Sequence, residues 1–303
     1  MSVASRTEAQ PLTTRIERRA FDPQALPHAT ARALGTPRPL RSAPVHWAIG
    51  ISHGAGLAAI AAAPATWPWA LGAMAATHAY GMTRSASAKS SFLGPILWQL
   101  PPHAAARGEV ALTFDDGPDP AITPRVLDVL DAIGAKATFF CIAERVRAHP
   151  ALAREMLFRG HNVENHSSGH SPWLGTYGPR RMRRAIADAQ QAIADVTGVL
   201  PVLYRPPFGV RTPFTEPALA RLGLHCVGWG VRSYDTVDDD GDRVARRVLR
   251  GVDAGAIVLL HDGVSIRRRP DPDHASVVEA LPQVLTALHE RGLRAVALRA
   301  ALA

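Results

Sequence analysis

The chain has 303 residues, 47% of them apolar, with 34 basic against 26 acidic side chains and a formal charge of +8. That length holds one large domain plus an appendage with a sizeable core. The two cysteines, Cys141 and Cys226, sit in apolar runs without zinc-type spacing, which excludes a secreted disulfide scaffold and a cysteine-based zinc site. The positive balance favours anionic partners (nucleic acid, phosphate head groups or anionic glycans) without choosing among them.

Residues 1–43 are rich in Arg, Pro, Ala and Thr without periodicity and read as a flexible basic arm. No charged side chain occurs from Ser42 to Thr83, and two apolar halves flank PATWP there. Each half approaches the ~20 residues that cross a bilayer as a helix. Trp47, Trp67, Trp69 and Tyr80 stand near the ends, where aromatic rings favour the membrane interface. Residues 44–83 are therefore expected to form a transmembrane helical hairpin in a bacterial inner membrane, with Gly50 and Gly54 allowing close helix packing. A buried Ala-rich helical pair is the competing arrangement, and His46, His53 and His78 weigh toward it. Arginines on both flanks suit two cytoplasmic ends; a single span would place the remainder on the other side, so topology stays open.

A linker, 84–106, leads into residues 107–303, where strand-like and helical patterns alternate. The strands are EVALTF, KATFFCI, HNVEN, VLYR, LHCVGWGV, AIVLLH and RAVAL. Between them, apolar residues recur at three- and four-residue steps, as in RRMRRAIADAQQAIADVTG. This predicts an α/β fold, a distorted (β/α) barrel of about seven parallel strands.

The unusual polar residues fall just past strand ends. Asp115 and Asp116 follow VALTF, His166 and His170 follow HNVEN, Arg205 ends VLYR, Asp235 follows CVGWGV and His261 ends IVLL. In parallel α/β architectures that rim carries the active site. Two imidazoles four residues apart plus a neighbouring carboxylate can hold one divalent cation and leave positions open for water. One aspartate of the DD pair can then serve as ligand while the other takes a proton, and the cation relieves their repulsion. Taken alone, an HxxxH pair is more often surface or core histidine, and an Asp pair before a helix is more often a cap.

TFDDGP, HSSGH, RPPFG, an Asp downstream of a Trp-bearing strand, and LLHD occur in that order. With them the chain from about residue 108 onward resembles the NodB-homology polysaccharide deacetylases, carbohydrate esterase family 4. The resemblance implies a hydrolase of non-peptide C–N bonds that removes N-acetyl groups from amino sugars of a glycan. Asp115 would be the general base; Asp116, His166 and His170 would hold zinc, cobalt or another divalent ion. Arg205 would position Asp115, the Phe208 backbone N–H would face the oxyanion, and His261 would be the general acid with Asp235 raising its pKa. Leu259 would line the acetyl pocket. Thr236 departs from the family, which often has Trp after that Asp, so known sugar preferences do not carry over.

Two other readings stand beside this one: a deacetylase or deformylase of a lipid-linked sugar at the cytoplasmic membrane face, and a non-catalytic glycan- or lipid-binding module. Expected partners are an N-acetylated glycan and membrane lipid. The basic runs RRMRR and RRR lack the aromatic interleaving of a nucleic-acid surface, and no nucleic acid is expected. A cationic run opening a helix opposes the helix dipole and hints at a bound anion.

Overall fold

The computed structural model describes residues 44–85, 87–263 and 276–303. The expected arm at 1–43 and the RRR run at 267–269 lie outside the described residues.

Two helices, α1 (Pro44–Ala62) and α2 (Trp67–Ser85), form the hairpin, joined by a short 3-10 turn at Pro64–Thr66. They meet through Ser52 Oγ and Thr77 Oγ1 (3.3 Å) and through the His53 and His78 Nε2 atoms (3.2 Å). The close approach is made at Gly56, where a Cβ would fall 2.3 Å from Met74 Cε, whereas Gly50 and Gly54 face open space. The transmembrane expectation is corrected: among the described residues no helix is long and apolar enough to cross a membrane. Ala and Gly fill much of both helices, and their transfer gain is too small to offset the histidines.

A short helix α3 (Pro102–Ala106) precedes strand β1 (Glu109–Asp115). The rest alternates as expected: α4 (Thr123–Ala132), β2 (Thr138–Cys141), α5 (Ala143–Ala148), α6 (Pro150–Phe158), β3 (Asn162–Asn165), α7 (Pro179–Thr197), β4 (Leu203–Tyr204) and α8 (Thr215–Leu222). Then come β5 (His225–Cys226), β6 (Val231–Arg232), α9 (Gly241–Gly251), β7 (Ile257–His261), α10 (Ser276–Glu290), β8 (Arg294–Ala295) and α11 (Leu298–Ala301). The strands run in the order β5-β4-β3-β2-β1-β7-β6, with β8 beside the start of β1, and every pairing is parallel.

The sequence predicts one strand at LHCVGWGV; the structure divides it. His225–Cys226 pairs with β4 on one edge of the sheet and Val231–Arg232 pairs with β7 on the other. Only Val227–Gly230 separates them, so the two edges stand no more than roughly 17 Å apart, the reach of five extended residues. The sheet therefore curls into a barrel with one open seam. The chain at Leu97–Gln99 lies in that seam: Leu97 bridges to Val227, Gln99 bridges to Ala256, and the Gly228 N–H donates to the Leu97 carbonyl (2.8 Å).

Side chains alternate across the curled sheet, as strand geometry requires. Val110, Leu112 and Phe114 of β1 pack outward in one buried cluster with Val258 and Leu260 of β7 and with the helices. Ala111 and Ile257 point inward with Phe140, Leu203 and Val227. Thr113 and Asp115, and Leu259 and His261, share the inward parity. The same alternation that builds the core thus delivers polar groups into the upper barrel. Cys141 and Cys226 are buried free thiols.

Candidate active site

The metal-ligand candidates converge. Asp116, His166 and His170 are buried, and one ligand atom from each lies within 4.8 Å of the others. Asp116 Oδ1 stands 3.4 Å from His166 Nε2 and 3.3 Å from His170 Nε2. The His166 Nδ1–H donates to the Arg205 carbonyl (2.8 Å), which turns Nε2 toward the carboxylate. Nε2 and the buried carboxylate can stand this close only with a proton or a metal ion between them. Asp116 Oδ1 is buried and accepts no hydrogen bond. This donor set fits a divalent ion.

Burial opposes ionisation of Asp116, but the neighbouring imidazoles, His166 foremost, outweigh it and hold the carboxyl well below the usual range. Burial likewise opposes charge on His166, and Asp115 and Asp116 reverse that, raising its pKa; for His170 burial prevails and the pKa falls.

Asp115, the other half of the pair, is held by a fully buried arginine. Arg205 Nη1 donates to Asp115 Oδ1 and to Thr113 Oγ1, both at 2.7 Å, and Nη2 donates to the Gly228 carbonyl (2.9 Å). The guanidinium lies over the Phe140 ring, 4.2 Å from its centroid. Asp115 Oδ2 stands 3.9 Å from His166 Nε2, so one carboxylate oxygen is engaged by Arg205 while the other faces the metal-ligand candidates.

Register places the next group. Asp115 of β1 is the parallel partner of His261 of β7, and Thr113 is the partner of Leu259. His261 Nδ1 lies 2.8 Å from Asp235 Oδ1, and the His261 backbone N–H donates to Asp235 Oδ2 (2.7 Å). Burial alone would depress the imidazole pKa; the adjacent Asp235 charge and hydrogen bond lift it to about 9. Ser233 Oγ also donates to Asp235 Oδ1 (2.7 Å). Leu259 is buried one step below His261 on the inner face. Phe208 is 56% exposed, its ring 4.3 Å from that of His170, at the mouth.

The backbone is strained in the same place. Among the described residues, non-glycine positive φ occurs at Asp116 (74°), Ser167 (71°), His170 (51°), Phe208 (58°) and Tyr234 (61°). Such conformations cost on the order of 1–3 kcal/mol each and persist where surrounding structure enforces them. Two are ligand candidates and Tyr234 precedes Asp235.

Asp262 was not singled out from the sequence, although LLHD contains it. It is fully buried, accepts from Thr123 Oγ1 (2.6 Å), and burial raises its pKa to about 7. A Cβ at Gly117 would fall 2.1 Å from Asp262 Oδ2, so this carboxyl underlies the turn that presents Asp116. The signal available was a second acid directly past a strand end. Thr236 is half-buried in the turn after Asp235, and the exposed ring nearby is Tyr234, stacked against Arg232 and Arg247.

Comparison with known proteins places the chain among glycan-modifying hydrolases. The family described as polysaccharide deacetylase matches residues 103–227. A chitooligosaccharide deacetylase of Sinorhizobium fredii is 36% identical over 197 residues, 64% of this chain and 91% of that protein. A peptidoglycan-N-acetylglucosamine deacetylase of Listeria monocytogenes is 35% identical over 191 residues, 63% of this chain and 38% of that protein. A solved peptidoglycan N-acetylglucosamine deacetylase, in complex with 4-naphthalen-1-yl-N-oxidanyl-benzamide, superposes with a TM-score of 0.61 at 28% identity, covering 68% of this chain and 91% of that one.

Proposed function

This chain belongs to the polysaccharide deacetylase family, and from that premise we propose that it removes N-acetyl groups from amino-sugar residues of a glycan through the site at the barrel mouth. The observation that carries the reading is the pairing of a buried two-histidine, one-aspartate cluster with a second aspartate locked by Arg205 directly beside it.

Family members use a divalent metal, and Asp116, His166 and His170 are the residues that would hold it here; two imidazoles and a carboxylate suit zinc. When bound, the ion supplies the positive charge that acidifies water and polarises the acyl oxygen. Asp115 takes the proton as water adds to the acyl carbon. Arg205 holds Asp115 in place through the Nη1–Oδ1 hydrogen bond. His261 carries its proton on the nitrogen opposite Asp235 and gives it to the amine nitrogen as the C–N bond breaks, leaving acetate and a free amino sugar. Asp235 makes that imidazole a protonated acid at neutral pH. The Phe208 backbone N–H supports the developing oxyanion, and Leu259 packs beneath the acetyl methyl.

The test is acetate release from acetylated chito-oligosaccharides, peptidoglycan and acetylxylan, with bound metal measured on the same protein. Release from an amino-sugar substrate that Asp115→Asn abolishes supports the reading; absence of both bound metal and release on every substrate sinks it.

The location we propose is a membrane surface. Trp47, Ile51, Leu57, Trp67, Trp69 and Tyr80 of the hairpin are all more than half exposed, in a stretch without charge. An apolar, aromatic surface of this kind favours the lipid interface without a span. Flotation of the full chain with vesicles, lost on Trp67→Ser/Trp69→Ser, tests it; unchanged flotation refutes it.

A further inference from the structure

The arginine run that opens α7 takes no part in the chemistry above. A helix that follows a parallel strand starts at the strand's C-terminal rim, so Arg180 and Arg183 stand on the same end of the barrel as His170. With Arg221 of α8 they line an open-sided pocket of about 290 Å³, whose remaining walls are Pro179, Phe214, Pro217 and Ala218.

Three guanidinium groups share this small space, and among the described residues none of them has a carboxylate partner. Arg221 Nη1 donates only to the Pro217 carbonyl, at 3.2 Å. Other arginines do have carboxylate partners, Arg159 with Asp128, Asp131 and Glu155, Arg243 and Arg247 with Asp238, and Arg299 with Glu164; what sets these three apart is that they line one concavity together. Unpaired like charges gathered in a concavity repel one another and focus a positive potential there, which an anion relieves. Guanidinium forks match a carboxylate in two-pronged geometry, and the apolar wall formed by Phe214, Pro217 and Ala218 suits the carbon stem that bears it. The position along the barrel rim suits a group attached to a long substrate better than a free ion.

We propose that this pocket is a subsite for a carboxylate borne by the glycan, so that acidic N-acetylated glycans are taken in preference to neutral ones; the assignment rests on the deacetylase reading above. The reaction itself is unchanged. Binding energy is gathered away from the reacting bond and acts on the choice of substrate.

Two oligosaccharides of equal length probe it: neutral N-acetylated chito-tetraose and a peptidoglycan tetrasaccharide carrying lactyl carboxylates. Binding is measured by calorimetry on the full chain with Asp115→Asn, alone and with Arg180→Gln, Arg183→Gln and Arg221→Gln combined. The expected result at ~50 mM salt is a loss of about tenfold in affinity for the carboxylated sugar with the neutral one within about twofold. At ~500 mM salt that difference closes. Equal affinity in parent and variant overturns the proposal, as does an equal loss for both sugars. Acetate release by the unsubstituted chain is read separately, so a chain that discriminates in binding but releases nothing fails the deacetylase reading and not the subsite.

Discussion

Asp235 grips His261 at two points, its Oδ1 against the imidazole Nδ1 at 2.8 Å and its Oδ2 accepting the backbone N–H at 2.7 Å. The imidazole pKa of about 9 follows mainly from that contact working against burial. As the acid, His261 acts in its protonated form, which persists below about 9 and is lost above it. The pH profile of kcat/KM is expected to fall on its alkaline side near that value. Asp235→Asn removes the charge that raises the pKa, so the alkaline limb moves toward lower pH and the rate drops on the order of 10²-fold. An unmoved limb assigns the proton to another group.

Arg205 and Asp115 form a buried pair, 0% and 4% exposed. Truncating one partner of such a pair leaves an uncompensated charge in the interior. Arg205→Ala is expected to cost about 3–5 kcal/mol of stability, read by denaturant unfolding, in addition to loss of turnover. Arg205→Met, which fills the space but cannot orient Asp115, separates packing from positioning.

His166→Ala and His170→Ala each remove a ligand candidate. Bound metal, measured by elemental analysis, is expected to fall from one equivalent toward zero, with activity lost beyond the ~10–100-fold typical of a supporting group. Chelation of the unsubstituted protein lowers the melting temperature, because an ion bound only by the folded state stabilises it. A variant that keeps both its metal and its melting temperature overturns the assignment.

Asp262 gives a stability prediction with a definite sign. Burial lifts its folded pKa to about 7, above the ordinary carboxyl value of 3.8. The unfolded chain therefore releases this proton first, and the folded state loses stability between roughly pH 4 and 7, on the order of a few kcal/mol in all. Asp262→Asn is expected to flatten that slope and to gain stability at pH 8 relative to the unsubstituted protein. A slope that survives the substitution traces it elsewhere.

Much of the site is visible in the sequence because parallel strands deliver their last residues to one rim. Asp115, Asp116, His166, His170, Arg205, Asp235 and His261 are each found beside a strand end, and the structure brings them together there. Less legible are features set by distant partners. LHCVGWGV reads as one strand, since nothing local reveals that its halves pair with opposite sheet edges. Gly50 and Gly54 have the spacing of a packing motif, yet helix rotation turns Gly56 toward Met74 instead. The hairpin's length was readable, but Ala-rich composition leaves it below the hydropathy of a span. Asp262 looked like an ordinary acid after a histidine, because its burial depends on the close approach of Gly117 and Thr123.

The seam between Cys226 and Val231 limits how far the chain can be shortened from its amino end. Gly228 offers its carbonyl to Arg205 and its N–H to Leu97, while Ala88 presses against it so closely that a methyl group there would lie 2.1 Å from the Ala88 oxygen. Arg211, itself buried, donates to the carbonyls of Ser90 and Gly94. A version cut at residue 87 keeps this caulking; one cut at 101 opens a gap in the barrel wall and lets solvent reach the arginine that steadies Asp115.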